Sequence, residues 1–334
     1  MSIPVLNKPL NLFYKEPDPD RWFKYDRYPR KLVRRIIRGK ERPGGVMMVA
    51  LNLMEGLDKL GIPYHFNDYR HIKKHPNEIA CIIGKPHLLY EKKWNNPVIL
   101  GAGIFSHPSD RPDIFSEFPN LRRILVPGPW MEKMFNPFYG NKVIAWPTGI
   151  DTERWHPLKD SKTFDFLIYD KVRWEHEQYD KELIEPIKNI LNLHRLTYHT
   201  IKYGSYTSAE LKEKLSTSKA VIFLCEHESQ GLAYQQILAT NTPILAWDRG
   251  GYWQDPFYYP RIKFGPVSSV PNWDERCGEK FNDSADFDVK LTTFLNNLSQ
   301  YQPRQYILDN LTLERCAQQY VNIHQQVEKE LNIA

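Results

Sequence analysis

Short apolar runs recur along this chain at a spacing typical of strands separated by helices. In the first half they occupy residues 10–14, 64–66, 79–83, 97–101, 124–126 and 142–145. Continuous apolar runs of this length are typical of strands that are buried on both faces of a sheet. Residues 46–60 instead repeat apolar positions at helical spacing, and Gly61 is a helix stop signal. The pattern predicts a parallel, Rossmann-like sheet with interleaved helices.

The second half repeats this pattern. Its apolar runs occupy residues 164–169, 196–202, 220–225 and 244–247. Thr207 and Glu210 have the spacing of a capping box, which predicts a helix over residues 211–215. Further helices are predicted over residues 287–298 and from Leu313 to the end, whereas residues 252–270 are rich in aromatics and prolines without clear periodicity. A second α/β domain is therefore expected.

The richest chemistry lies in residues 220–251, which predict a strand, a polar loop, a helix and a second strand. The loop contains Glu226, His227 and Glu228 and ends at Gly231, just before the helix. Ligands of open parallel sheets bind at the carboxyl ends of the strands. A helix amino terminus there offers free backbone N–H groups to a phosphate. This loop is the first candidate for a binding site.

The same stretch resembles the nucleotide-sugar site of the group 1 glycosyltransferases, which are retaining enzymes of GT-B architecture. Their motif is a Glu, seven residues and a second Glu, followed by Gly-Thr-Pro and a strand. Here Glu228 falls on the first Glu, Gly231 and Leu232 fall on the Gly-Leu pair, and residues 241–243 fall on Gly-Thr-Pro. Gln236 stands where the second Glu is expected. The resemblance implies that Glu228 holds donor-sugar hydroxyls and that Gln236 meets the ribose through a neutral hydrogen bond.

Other segments follow the order of that family. Gly44 and Gly45 resemble its amino-terminal Gly-Gly loop, and residues 146–157 resemble the segment that closes its amino domain. The resemblance implies an α/β protein of GT-B architecture, with two Rossmann-like domains whose parallel sheets face each other across a cleft. The implied division is an acceptor domain at 1–158, a nucleotide-sugar domain at 159–310 and a terminal helix at 311–334 that crosses back.

The family also implies positions for charged residues. Lys171 falls on an Arg that contacts the donor diphosphate, and either Arg173 or Lys181 could supply the second cation. His107 is the candidate for a catalytic histidine on the amino domain, although a lone histidine is more often structural. Glu226 and His227 flank Glu228 and could touch the donor sugar. Because Glu228 lies on a predicted loop, its replacement by Ala is expected to leave the fold intact.

The implied reaction moves a sugar from a nucleotide diphosphate sugar to a saccharide or lipid-linked acceptor, with retention, as in polysaccharide biosynthesis. The partners are thus a nucleotide sugar and an acceptor. No metal or other cofactor is expected, since the sequence suggests no spacing of two histidines with a carboxylate. Two alternatives remain open: a GT-B pseudoenzyme that binds sugar or a partner, which Gln236 favours, and a nucleotide-sugar epimerase.

Composition and charge exclude few functions. The chain has 334 residues, a net charge of +5, and 41% hydrophobic and 25% charged residues, as in ordinary globular proteins. Its beginning lacks a signal-peptide pattern, and Cys81 and Cys225 lie in strand-like runs, so a cytoplasmic protein with reduced thiols is expected. Residues 27–42 form a basic segment with interleaved apolar positions. It predicts a solvated helix or a peripheral contact with an anionic membrane, and no motif supports nucleic-acid binding.

Overall fold

A computed structural model describes the chain over residues 8–16, 29, 44–158 and 161–331. Apart from residue 29, the basic segment at 27–42 lies outside the described residues, so the membrane contact stays a prediction. The chain divides into two compact units. The first comprises the described parts of Met1–Pro127, Phe135–Gly149 and Cys316–Ala334, and the second comprises those of Gly128–Met134 and Ile150–Arg315.

The first unit is built on a six-stranded parallel sheet with the order β2-β1-β3-β4-β5-β6. Its strands are β1 (Leu10–Phe13), β2 (Tyr64–Phe66), β3 (Ala80–Ile83), β4 (Val98–Gly101), β5 (Leu121–Val126) and β6 (Val143–Ala145). All residues of β1, β3 and β4 are buried. The six predicted strands and their parallel arrangement are confirmed.

Helices follow the strands of this sheet. They are α1 (Gly45–Leu60), α2 (Tyr69–Lys74), α3 (His87–Glu91), α4 (Ile114–Glu117) and α5 (Pro129–Tyr139), the last of which begins in the second unit. Gly61 ends α1 with φ at 65°, a left-handed conformation that favours glycine, and its N–H bonds to the carbonyls of Asp58 and Leu57. The predicted stop of this helix is confirmed.

The last helix of the described chain contributes to the core of the first unit from Cys316 onward. It spans Leu313–Glu330, which confirms its predicted start. Tyr320 and Val321 are buried in the same apolar cluster as Leu12 of β1. Trp146 joins the helix to the sheet: its Nε1–H donates to the carbonyl of Cys316 at 2.8 Å, and its ring centroid lies 5.0 Å from that of Tyr320.

The second unit is built on a five-stranded parallel sheet with the order β11-β10-β9-β7-β8. Its strands are β7 (Phe164–Asp170), β8 (Tyr198–Lys202), β9 (Ser218–Leu224), β10 (Ile244–Trp247) and β11 (Gly278–Phe281). Four of these were predicted. The edge strand β11 was missed because its two central residues, Glu279 and Lys280, are charged and only half-buried, so it lacks an apolar run.

The helices of the second unit include those that the sequence predicted. The bounds are α6 (His176–Tyr179), α7 (Glu185–Leu193), α8 (Ser208–Thr217), α9 (Leu232–Ala239), α10 (Phe287–Asn296) and α11 (Pro303–Asn310), with a π-helical turn at Asp180–Ile184. At α8 the Thr207 side chain accepts from the Glu210 N–H, and the Glu210 carboxylate accepts from the Thr207 N–H. The predicted capping box is confirmed, and its helix begins three residues earlier than expected.

We expect Trp146→Ala to lower the free energy of unfolding by about 3–5 kcal/mol, as for other large-to-small changes of buried aromatics. The indole is 1% exposed, and its loss would leave a cavity and remove the hydrogen bond to the carbonyl of Cys316. Urea unfolding followed by circular dichroism measures the change. Leu193→Ala is the control, because Leu193 is 81% exposed and its loss should cost little. Equal costs for the two variants would contradict this account of the packing.

Candidate functional site

The site is assembled at the carboxyl ends of three adjacent strands. In the register of the second sheet, Leu224 at the end of β9 lies between Asp170 of β7 and Trp247 of β10. The segments that begin at Lys171 and at Asp248 therefore leave the sheet beside the loop that contains Glu228. This edge of a parallel sheet is where ligands bind in open α/β folds.

Lys171, in the segment after β7, forms an ion pair with Glu228, in the loop after β9. Both residues are buried, at 8% and 7% exposure, and the ammonium group lies 4.3 Å from the centre of the Tyr203 ring. Burial acts to lower the pKa of Lys171, but the negative charge of Glu228 and its hydrogen bond outweigh that effect and raise the pKa. Lys171 is therefore a buried cation held by one carboxylate.

The backbone of the Glu228 loop is fixed by hydrogen bonds from other segments. The Glu228 N–H donates to the carbonyl of Ser268 at 2.9 Å, and its carbonyl accepts from Nε1 of Trp130 at 2.7 Å. This corrects the expectation that Glu228, as a loop residue, lies apart from the core. Because removal of one partner leaves the other as an unpaired buried charge, Glu228→Ala should destabilise the fold by about 3–5 kcal/mol.

Glu226 joins the loop after β9 to the segment after β7. Its Oε1 accepts from the backbone N–H groups of Arg173 at 2.7 Å and Trp174 at 2.8 Å. The Arg173 guanidinium lies 3.8 Å from Oε2 and donates through Nη2 to the carbonyl of His227 at 3.3 Å. Lys171 and Arg173, two of the three predicted donor-binding cations, are thus brought together around residues 226–228.

His227 lies among aromatic rings and is held neutral. Its Nε2 accepts a hydrogen bond from Nε1 of Trp253 at 3.0 Å, so the ring proton is on Nδ1. Burial above all, together with the nearby positive charges of Arg173, Arg249 and Lys171, lowers the pKa of His227 to about 3. The sequence suggested that His227 could touch the donor sugar; the structure makes it a neutral acceptor within the loop.

Gly231 begins the helix that follows this loop. Its φ is 79°, and a Cβ there would lie 2.0 Å from the Tyr234 ring, so a glycine is required for both reasons. Leu232 is the first residue of α9, and Gln236 lies half-buried on its second turn. The neighbouring Gln235 is fully buried and exchanges hydrogen bonds with Gln230. Gln236 is the more accessible of the two amides.

Other predicted site residues lie elsewhere. Lys181 is exposed on the π-helical turn, where it lines an open depression of the surface with residues 175–178 and Glu182. His107 belongs to the first unit and caps a short 3₁₀ turn, with its Nδ1 accepting from the Ser109 N–H at 3.1 Å; burial lowers its pKa. Gly44 and Gly45 are exposed at the start of α1.

The sequence was expected to contain no pair of histidines spaced with a carboxylate for a metal ion, but the first unit has one such cluster. His71, His75 and Glu78 each place a potential ligand atom within 4.8 Å of the others. The two histidines are four residues apart at the end of α2, and Nε2 of His71 lies 2.9 Å from a Glu78 oxygen. The sequence signal was present as His-x₃-His followed by Glu, but a separation of seven residues between His71 and Glu78 hid their contact.

Several site residues were not singled out from sequence. Arg249 is the second residue after β10, so the rule that ligands bind at strand ends could have found it. Trp253 belongs to the aromatic stretch without periodicity, and Trp130 is almost a hundred residues away from the carbonyl that it contacts. No local pattern announces such long-range contacts.

No protein-family model and no curated protein matches the sequence. Solved structures do match. Sucrose-phosphate synthase from Thermosynechococcus elongatus is 12% identical with a TM-score of 0.55, covering 97% of this chain and all of that one. An α,α-trehalose-phosphate synthase (UDP-forming) from Burkholderia vietnamiensis is 10% identical with a TM-score of 0.54, covering 88% and 80%.

A mutant of S. aureus TarM in complex with Fondaparinux, alpha-GlcNAc-glycerol and UDP is 16% identical, with a TM-score of 0.54. The match covers 83% of this chain but 58% of TarM, so the chain spans little more than half of that protein's length. These neighbours are GT-B glycosyltransferases, and the two parallel sheets agree with their architecture. The chain has the GT-B fold. At identities of 10–16% the comparison establishes only the fold of this GT-B chain. Its chemistry has to be argued from the residues of the site.

We expect the buried neutral His227 to make this GT-B protein acid-sensitive. In the unfolded chain the imidazole takes up a proton near pH 6.5, whereas in the folded chain its pKa is about 3. The unfolded state therefore binds more protons between these values, and stability falls as the pH drops through that window by up to about 1.4 kcal/mol per pH unit.

The variant His227→Gln keeps an acceptor for Trp253 and cannot protonate. Its free energy of unfolding should therefore decline less steeply between pH 6.5 and pH 4 than that of the wild type. The matched control is His156→Gln, since His156 is exposed. Parallel pH profiles for the wild type and His227→Gln would contradict this account.

Proposed function

We propose that the chain is a glycosyltransferase that uses a nucleotide diphosphate sugar as donor. The observation that carries the proposal is the buried pair of Lys171 and Glu228 at the carboxyl ends of the strands in a GT-B fold. An isolated ion pair is costly to bury, and replacing it by apolar residues is often neutral or stabilising. Its presence at the ligand-binding edge of the sheet therefore favours a functional role over a structural one.

In this proposal the ion pair exchanges partners when the donor binds. The diphosphate approaches Lys171 and Arg173, and the Glu228 carboxylate becomes available to the donor-sugar hydroxyls. The bond between the anomeric carbon and the phosphate oxygen then breaks, and the diphosphate leaves with the electron pair. Fixed cations stabilise this developing negative charge better than water does, because they need no reorganisation during the reaction. Gly231 and Leu232 would bring the start of α9 close to the donor.

The acceptor hydroxyl oxygen forms the new bond to the anomeric carbon, and its proton passes to the departing diphosphate oxygen. We propose a saccharide or lipid-linked acceptor and retention of the anomeric configuration, both of which rest on the family resemblance. The first unit, with Gly44 and Gly45, would bind the acceptor, and His107 would act there as a catalytic residue. No metal or other cofactor takes part in this proposal. The complex of TarM with alpha-GlcNAc-glycerol and UDP supports the general reaction class.

Among the described residues, no helix has both the length and the apolar character needed to cross a bilayer. We propose a cytoplasmic protein, with a peripheral membrane contact through residues 27–42 as the route to a lipid-linked acceptor. Gln236 would meet the ribose from the second turn of α9. Its amide presents an N–H as well as an oxygen, whereas a carboxylate accepts two hydroxyls, so the nucleotide contact differs from that of the family pattern.

Nucleoside diphosphates should stabilise the native protein, since a ligand present at 100 times its Kd raises the free energy of unfolding by about 2.7 kcal/mol. We expect Lys171→Met to weaken the nucleoside diphosphate affinity at least tenfold, because it removes a charge-assisted contact. The double variant Lys171→Met/Glu228→Gln leaves no unpaired buried charge and should show the same loss. Lys181→Met is the matched control and should bind like the wild type, since Lys181 is exposed on another segment.

Thermal shift with uridine, adenosine and guanosine diphosphates gives the ranking of bases, and isothermal titration gives the affinities. If the Lys171 and Lys181 variants lost equal amounts of nucleotide affinity, the assignment of Lys171 to the diphosphate site would be wrong. Absence of any nucleotide binding by the wild type would remove the donor itself and favour a protein that binds a sugar or a partner.

Glu228→Gln should reduce sugar transfer at least about 100-fold, because the carboxylate acts on the sugar in this proposal. Nucleotide affinity should not fall, because the neutral amide no longer competes with the diphosphate for Lys171. Labelled nucleotide sugars incubated with saccharide and lipid-linked acceptors measure the transfer. Gln178→Ala, on the exposed surface of α6, is the control and should retain full activity. Full activity of Glu228→Gln would overturn its assignment. Interconversion of nucleotide sugars without transfer would instead identify an epimerase, and neither activity would identify a pseudoenzyme.

A further inference from the structure

A cavity opens beside the segments that follow strands β7, β9 and β10. Its volume is about 240 Å³, which is small and suits a single small polar ligand. The walls come from the segments after β7, β9 and β10, all within the second unit. Its lining includes three aromatic side chains and three buried or half-buried polar ones: Trp174, Tyr179, Tyr259, Glu226, Arg249 and Gln254. Neither Lys171 nor Glu228 lines this cavity.

Arg249 presents one edge of its guanidinium without hydrogen-bond partners. Its Nη1 donates to the hydroxyl of Tyr179 at 2.5 Å, and its charge lies 5.5 Å from the centre of the Trp247 ring. The other two nitrogens, Nε and Nη2, are buried and have no hydrogen bond. These two N–H groups form the parallel fork that binds two oxygens of a carboxylate or phosphate.

Glu226, which also lines this cavity, has one carboxylate oxygen without a hydrogen bond. The residue is 2% exposed, and its Oε1 is occupied by the two backbone N–H groups of Arg173 and Trp174. Its Oε2 is buried and has no hydrogen bond, with the Arg173 Nε at 3.8 Å within ion-pair range but beyond bonding distance. A buried carboxylate oxygen without a donor is costly, so a ligand hydroxyl that donates to it would be favourable.

We propose that this cavity binds an anionic sugar, with its carboxylate or phosphate on the Arg249 fork and one of its hydroxyls donating to Glu226. The rings of Trp174, Tyr179 and Tyr259 would enclose the apolar faces of the sugar. This inference rests on the proposed function for the role of that sugar as a substrate. Its binding can be measured without any transfer reaction.

The charges around the cavity favour an anion over a neutral sugar. Glu226 is balanced by Arg173, which approaches it and binds the neighbouring loop. Arg249 forms no ion pair among the described residues, and its bond to Tyr179 is to a neutral hydroxyl. Glu175 also lines the cavity, but it is exposed, so water screens its charge. The charge without an ionic partner among the described lining residues is therefore that of the half-buried Arg249.

Two sources could supply the anion. A hexuronate supplies a carboxylate, and it would then be the sugar of the donor or the end of an acidic polysaccharide. A hexose phosphate supplies a phosphate, and it would then be an acceptor. Each of these sugars has an anionic group that can place two oxygens on the Arg249 fork, and each has hydroxyls nearby. Measuring the binding of free glucuronate and free glucose 6-phosphate distinguishes the two sources.

Affinities of glucuronate, glucose 6-phosphate and glucose are to be measured by NMR titration of the full chain at low salt. We expect at least one anionic sugar to bind at least tenfold more tightly than glucose, with the advantage decreasing as salt is added. Arg249→Gln should abolish that advantage, and Arg249→Lys should retain only part of it, because lysine keeps the charge and loses the fork. Arg261→Gln is the matched control, on the same segment but exposed and outside the cavity lining.

Glu226→Gln keeps one oxygen to accept from the backbone N–H groups of Arg173 and Trp174, and it replaces the second oxygen by an NH₂ group. It should therefore weaken the binding of glucuronate and of glucose 6-phosphate by a similar factor. Thermal unfolding of each variant identifies loss of fold, and Arg249→Lys keeps the test valid if Arg249→Gln is unfolded. Glucose binding as tightly as both anionic sugars, or an anionic advantage that persists in both Arg249 variants, would overturn the proposal. Anionic-sugar binding without nucleotide binding would instead contradict the proposed donor and leave this cavity assigned.

Discussion

A buried lysine ammonium requires a carboxylate within bonding distance, and the pair of Lys171 and Glu228 meets this requirement in the second unit. The cost of desolvating both charges is recovered only if the surrounding backbone holds them in place. That backbone is held by Glu226 on one side, which binds the segment after β7, and by Trp130 and Ser268 on the other. Much of the polar chemistry at these strand ends depends on this one pairing.

The arrangement has a consequence for ligand binding. A site that neutralises its own cation in the absence of ligand avoids an unpaired buried charge, and it leaves an anionic ligand to compete with Glu228 for Lys171. The cavity beside Arg249 differs, because no carboxylate among the described residues pairs with that guanidinium. Two cations at the same strand ends thus have different resting states: one is paired, and the other retains two unused donors. An anion must therefore displace Glu228 to reach Lys171, whereas it can bind the unused donors of Arg249 without displacing a carboxylate.

Rigid aromatic packing surrounds both positions. His227 is kept neutral by burial, and its acceptor nitrogen ties the loop to Trp253 of the long segment after β10. That segment also supplies Gln254 and Tyr259 to the cavity. Its many aromatic residues and prolines therefore serve to build a wall over the strand ends, although they form no regular helix or strand beyond short turns among residues 252–270.

The sequence by itself determined the fold class, because apolar periodicity is a local property that survives without knowledge of the neighbours. It predicted the six strands of the first sheet, four of the five in the second, the stop at Gly61 and the capping box at Thr207. Edge strand β11 escaped prediction because half-buried charged residues replace its apolar run. The family motif also predicted that Glu228 and Lys171 belong to one donor-binding site.

Only the tertiary structure decided what those residues touch. Glu228 lies on a loop but is buried, because Lys171 and Trp130 reach it from 57 and 98 residues away. The cluster of His71, His75 and Glu78 and the free edge of Arg249 likewise depend on how separate segments meet. Burial and charge pairing are properties of the whole surroundings of a side chain. A local pattern can therefore predict that a residue ends a strand, but not which partner it finds there.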